Sequence, residues 1–311
     1  VKKRKFIQVF GTGILGTALA PNAILSSGIR QDKSDKNWIW VAGSTESTDD
    51  EWKVKFDTMR RYGIDAVLVQ VYNGHRALFD HPNPIVPVQA DMLSRLIPLA
   101  HAAGLEIHAW MWTMPCNNRA IIEAHPDWFA VNGNGDPSWS HPAYVKYYKF
   151  LCPCHPEAMD FVAGNVKALA AYDRLDGIHL DYIRLPDVIL AEALQPKYDI
   201  VQDKEYPEYD YSYSEHCRHQ FKAQSGIDPL SLEVPSANAE WLQFRFDAIT
   251  DLVNEKLVPA AKARDKYISA AVFPNWQSVR QQWHNWNLDA FMPMLYHNFY
   301  DEDIEWIGEE T

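Results

Sequence analysis

The residues best placed to do chemistry stand together in residues 176–186 (DGIHLDYIRLP), where an imidazole, a carboxylate and a guanidinium follow closely as His179, Asp181 and Arg184. A carboxylate in such company serves as general acid, general base or nucleophile, and the charges around it decide which. Read as a strand of period two, the segment puts His179 and Asp181 on one side and Ile178, Leu180 and Tyr182 on the other. Pro186 has no N–H to give to a ladder, so Asp181 falls at the carboxyl end of the strand. Asp181 is therefore the expected catalytic residue. With Arg184 and His179 as its electrostatic partners it should stay ionised, which suits a nucleophile or stabiliser better than an acid.

A strand end needs a frame, and the rest of the chain reads as repeated strand-helix units. Residues 37–43 (NWIWVAG) form a first strand, and Thr48 with Glu51 three residues on opens a helix that runs to Gly63. The second strand spans 64–72 and sets Leu68, Gln70 and Tyr72 on one face, where the polar Gln70 marks a site lining. A proline-broken loop over 73–89 and a helix over 90–103 lead to a third strand, 105–113, with His108, Trp110 and Trp112 on one face. Residues 114–151 make a long excursion of the kind that covers a substrate. A helix starting at 154–157 returns the chain to the central strand.

Beyond Pro186, residues 197–213 read as a Tyr- and acid-rich loop, followed by helices over 214–225 and 239–263. A fifth strand (267–273), a short helical piece (279–286), a sixth strand (289–296) and a helix opening at Asp301 complete the chain. The alternation predicts an α/β fold of the (β/α)8 TIM-barrel kind, with catalytic groups at the carboxyl ends of its strands. Such a barrel needs eight strands and six are counted, so the barrel is expected to be incomplete at its C-terminus.

The bulk composition narrows the function classes. At 311 residues, 47% of them hydrophobic, with 12 Trp and 14 Gly, the chain can bury a full core and is not a disordered one. A net charge of -12 argues against nucleic-acid or anionic-membrane partners, and 13% aromatic residues suit stacking on sugar rings. The order of Lys2-Lys3-Arg4-Lys5, an apolar Gly- and Ala-rich run and small residues near Ala20 predicts a leader over 1–28, followed by a linker over 29–36. Its Lys3-Arg4-x-Phe6-Ile7 pattern also resembles a twin-arginine signal. Export to the periplasm or the cell exterior follows, by that route or the general one. No cofactor or metal is expected, since Cys152-Pro153-Cys154-His155 lacks the wider Cys spacing and the second pair of a zinc site.

Three further stretches sharpen this: 177–186 (GIHLDYIRLP), 273–276 (FPNW) with 279–283 (VRQQW), and 292–300 (MPMLYHNFY), supported by 56–71 (FDTMRRYGIDAVLVQV). Together they resemble the family 10-like glycosyl hydrolases of bacteria, over about residues 37–311. The resemblance implies a (β/α)8 barrel that cleaves glycosidic bonds in a polysaccharide or glycan strand. It maps the acid of the fourth strand onto Asp181, and its His and aromatic positions onto His179, Tyr296 and His297.

Glycosidic cleavage calls for two carboxyl groups. Asp181 is one, and Asp210, Asp301 or a residue past the last one given are the candidates for the other. Substrate contacts are expected from Tyr72, His179, Arg184, Asn275, Trp276, Tyr296 and His297; Trp110 and Trp112 belong to the same sugar-recognition set, and of that set they are the ones most expected to fill the barrel interior instead. Two other readings stand beside this: a non-catalytic glycan-binding barrel, and a metal-dependent hydrolase using His108, His179, Asp181 and His297.

Overall fold

The computed structural model describes residues 36–310. The leader expected over 1–28, and the linker over 29–36 apart from Lys36, lie outside the described residues.

Among the described residues six strands follow one another in chain order: β1 (Trp38–Val41), β2 (Ala66–Tyr72), β3 (Glu106–Trp112), β4 (Gly177–Asp181), β5 (Tyr267–Val272) and β6 (Ala290–Pro293). Each is hydrogen-bonded in parallel to the next, giving one sheet of order β1-β2-β3-β4-β5-β6. This is an arc of the (β/α)8 plan. Among the described residues β1 and β6 are its two edges.

The connecting helices form where the local chemistry directs them. Helix α1 (Asp49–Arg61) opens on a full capping box, in which Thr48 Oγ1 accepts from Glu51 N and Glu51 Oε2 accepts from Thr48 N. Acids fill its first turn and arginines its last, in the sense the helix dipole favours, and Trp52 and Phe56, four apart, bury its inner face. Helices α2 (Met92–Ala102), α3 (Arg119–Ala124) and α4 (Pro156–Ala170) come next; α4 starts with Pro in its first turn behind the N-cap His155. Its buried stripe packs on the strands in the main core.

Past α5 (Glu215–Ser225), the helix expected over 239–263 is divided. It runs as α6 (Ala239–Asp251), widens into a π turn over Leu252–Leu257, and ends as α7 (Val258–Lys262) before a last helix, α8 (Trp306–Glu310). Pro259 sits just past the wide turn, where an α-helix would drive its ring into the carbonyl four residues back. The helical piece expected over 279–286 shrinks to a 3-10 turn, Trp283–Asn285. Arg280 has a left-handed φ of 54°, and the Gln281 side chain instead bridges the backbone of Phe273, Ile183 and Ala271.

The concave side of the sheet is layered. His108 of β3, Gly177 of β4 and Tyr267 of β5 lie in register, and the His108 ring meets Trp38 edge-on at 4.6 Å between centroids. A Cβ at Gly177 would come within 2.2 Å of His108 Nδ1 and 2.7 Å of the Tyr267 carbonyl oxygen. Gly177→Ala should therefore destabilise the fold by at least about 1–3 kcal/mol, measured as a lower denaturation midpoint at unchanged slope. An unchanged midpoint would mean that this layer yields without cost.

Candidate functional site

Above those layers the strand ends open into a cleft of about 450 Å³. Its floor comprises Gln70, Trp110, Trp112 and Asp181 at the carboxyl ends of β2, β3 and β4. Gln70 is where the polar interruption of β2 placed a site lining.

Asp181 is buried, with Oδ2 accepting from Trp110 Nε1 at 2.9 Å and Oδ1 accepting from Tyr182 N at 2.8 Å. Burial pushes its carboxyl up to about 6, against the smaller downward pull of the two donors and of Arg184. This corrects the sequence expectation of a carboxylate kept ionised by a neighbouring cation. The guanidinium is committed elsewhere: Arg184 Nη1 donates to Asp187 Oδ2 at 3.0 Å and to the Leu185 carbonyl, and Nη2 donates to the Tyr148 hydroxyl. Desolvation therefore outweighs attraction at Asp181, and the group is suited to carry a proton near neutral pH.

A raised carboxyl has a consequence for stability. Between about pH 4 and 6 the folded chain holds this proton and the unfolded chain does not, so this contribution to stability is lost as pH rises through that window. We expect wild type to lose about 3 kcal/mol relative to Asp181→Asn between about pH 3.5 and 7.5, measured by denaturant unfolding. A difference independent of pH would contradict the assignment.

Tyr182 breaks the strand alternation. It has a left-handed φ of 52°, uncommon for a residue with a side chain, and its ring enters the cleft on Asp181's side, 4.8 Å from Trp112. The excursion after β3 folds back to supply Tyr144, Tyr147 and Tyr148. A 3-10 segment, Glu192–Tyr198, and the turn His297–Phe299 complete the rim with Lys197, Tyr198 and Phe299. The wall is thus mainly aromatic, with Asp181, Asp187, Arg184 and Lys197 set into it.

The structure brings Asp181, Arg184 and Tyr296 of the expected set to this cleft and places the others elsewhere. Tyr72 follows a register shift between β2 and β3 at Gln70, which turns it into the main apolar core. His179 lies one layer below Asp181, fully buried, its Nε2 accepting from Trp40 Nε1 and its Nδ1 facing Ser269 Oγ at 2.9 Å. Burial, with His108 nearby, lowers its pKa to about 3, so it is a neutral residue in the layer beneath the cleft floor. Asn275 accepts from Tyr300 behind the wall, Trp276 packs on Phe246 and His284, and His297 starts the rim turn outside the lining.

Trp110 and Trp112, open in the sequence between sugar contact and interior filling, line the cleft. The two candidates for a second carboxyl also lie outside the lining. Asp210 is buried against Arg245 and Arg280, and Asp301 stands on an exposed turn. His108, His179, Asp181 and His297 do not converge as a ligand set among the described residues, because His108 and His179 lie in separate layers and His297 stands on the rim turn.

A family model described as glycosyl hydrolase-like 10 matches residues 56–311. The chain belongs to this family. No curated protein sequence matches it. Among solved structures, the PgaB (BpsB) glycoside hydrolase domain from Bordetella bronchiseptica is similar at 14% identity, over 83% of this chain and 74% of that one, with a TM-score of 0.61. The catalytic domain of a β-amylase from Paenibacillus polymyxa is similar at 12% identity, over 77% and 66%, with a TM-score of 0.52. A β-galactosidase from the haloarchaeon Halorubrum lacusprofundi gives 12%, 79% and 37%, with a TM-score of 0.51. At these identities the likeness is one of fold, and the glycosyl hydrolase-like 10 chain shares with them the curled parallel sheet that carries its cleft.

Proposed function

We propose that this glycosyl hydrolase-like 10 protein is an exported glycoside hydrolase that cleaves O-glycosidic bonds of a polysaccharide or glycan strand lying in the aromatic cleft. The observation that carries this reading is Asp181, a buried carboxyl raised to about 6 at the carboxyl end of β4 among Trp and Tyr rings. Such a group, protonated in part at neutral pH, delivers its proton to the leaving glycosidic oxygen and recovers it from the water that completes hydrolysis.

We assign the partner role to Asp187, the other carboxylate in the cleft wall, which Arg184 holds in place. Trp112, Tyr147 and Tyr182 offer ring faces to the sugar. The family membership and the glycosidase fold support the same reaction class. Export is supported by the disulfide between Cys154 and Cys217, a bond that persists in oxidising compartments. Recovery of the chain from the cytoplasmic fraction alone would remove that part.

The purified protein incubated with a panel of bacterial and plant glycans should generate new reducing ends from at least one of them. Binding to a glycan with no cleavage over the whole pH range would instead establish a lectin-like barrel.

A further inference from the structure

Away from the cleft, three segments distant in sequence converge on one small group of donors. Asp127 comes from the 3-10 turn Pro126–Trp128 in the excursion, His155 is the N-cap of α4, and His216 lies in the first turn of α5. One ligand atom from each lies within 4.8 Å of the others. His155 Nε2 is 3.1 Å from Asp127 Oδ2, and the His155 and His216 rings are 4.1 Å apart between centroids. His155 is buried, His216 half-buried and Asp127 exposed, so the cluster is rooted in the fold and open to solvent on one side.

A second observation bears on the same place. The disulfide joins Cys154 to Cys217, the immediate neighbours of His155 and His216, across a sequence separation of 63. The cross-link therefore fixes the two imidazoles against each other whatever else the loops do.

We propose that Asp127, His155 and His216 bind a divalent transition-metal ion of the zinc class, and that the Cys154–Cys217 bond preorganises the site. Two imidazoles and a carboxylate are the donor set such ions take, with a fourth position left to water. Donors about 2.0–2.1 Å from a tetrahedral ion stand about 3.3 Å apart, so closure needs side-chain movements of about an ångström and no backbone rearrangement. The ion takes the place of the 3.1 Å contact between His155 Nε2 and Asp127 Oδ2. His155 then gives up its 3.5 Å capping contact from Ala158 N, a loss of the order of one weak cap. Bound metal would tie the turn carrying Asp127 to the starts of α4 and α5, and so anchor the excursion that also supplies Tyr144, Tyr147 and Tyr148 to the cleft.

The test is calorimetric titration of the oxidised full chain with Zn²⁺ in a non-chelating buffer. It is set beside His216→Ala, Asp127→Asn and the double variant Cys154→Ser/Cys217→Ser, with far-UV circular dichroism to confirm folding. We expect a single ion per chain, binding weakened at least about tenfold in either ligand variant and about tenfold in the folded double-serine variant, whose ligands are intact. Zinc should also raise the thermal midpoint of wild type and leave that of His216→Ala unmoved. No uptake by wild type, or uptake unchanged in His216→Ala, would overturn the proposal. Should the double-serine variant fail to fold, the two ligand variants decide it alone.

Discussion

Asp181→Asn should lower the rate of glycan cleavage by about 10²–10⁴-fold while leaving glycan affinity within a small factor of wild type. The substitution keeps the shape of the side chain and an acceptor for one of the two N–H groups, of Trp110 and Tyr182, that now hold the carboxyl, while its amide nitrogen faces the other. What it removes is the transferable proton. Because the aromatic wall is made by other residues, binding should survive, and the loss should fall on kcat with little change in KM. Equal loss of binding and turnover would make Asp181 a structural residue. Full activity in the variant would move the chemistry elsewhere.

Arg184→Met carries the largest expected cost in stability. The guanidinium is 3% exposed, ion-paired to Asp187 at 3.0 Å, and set against the rings of Phe273, Tyr182 and Tyr148 at 5.0, 5.2 and 5.5 Å. Removing it strands the buried Asp187 carboxylate and leaves the Leu185 carbonyl without its donor. Breaking one half of a buried pair costs about 3–5 kcal/mol, more than the pair itself contributes. Denaturant unfolding of Arg184→Met should show that loss, and the double variant Arg184→Met/Asp187→Leu should recover part of it. A single-variant loss within about 0.5 kcal/mol, the range of ordinary surface changes, would show the pair to be solvated.

The frame was legible because its signals are local. Thr48 and Glu51 announce α1, Pro156 announces α4, and the run ending at Asp181 announces β4 and the site at its end. The site's lining was less legible for a reason that recurs. Period-two reading assigns faces only while the strand stays regular, and it fails at the register shift after Gln70, which buries Tyr72, and at the left-handed Tyr182, which enters the cleft. Tyr144, Tyr147 and Tyr148 lie in an excursion without periodicity, so only their folding back over Asp181 gives them a role. The motifs around Asn275 and Trp276 mark a well-packed corner, where Gln281 replaces a helical turn with side-chain bonds to the backbone. The sign of the shift at Asp181 was equally hidden. Arg184 is three residues away in sequence, yet its charge is spent on Asp187, a partner that spacing alone does not single out.

The most direct measurement is the pH dependence of kcat/KM on whichever glycan the panel shows to be cleaved. If Asp181 donates the proton, kcat/KM falls as pH rises through a limb with an apparent pKa of about 6. A rate that stays level across that limb, or climbs through it, would contradict the assignment of Asp181 as the acid.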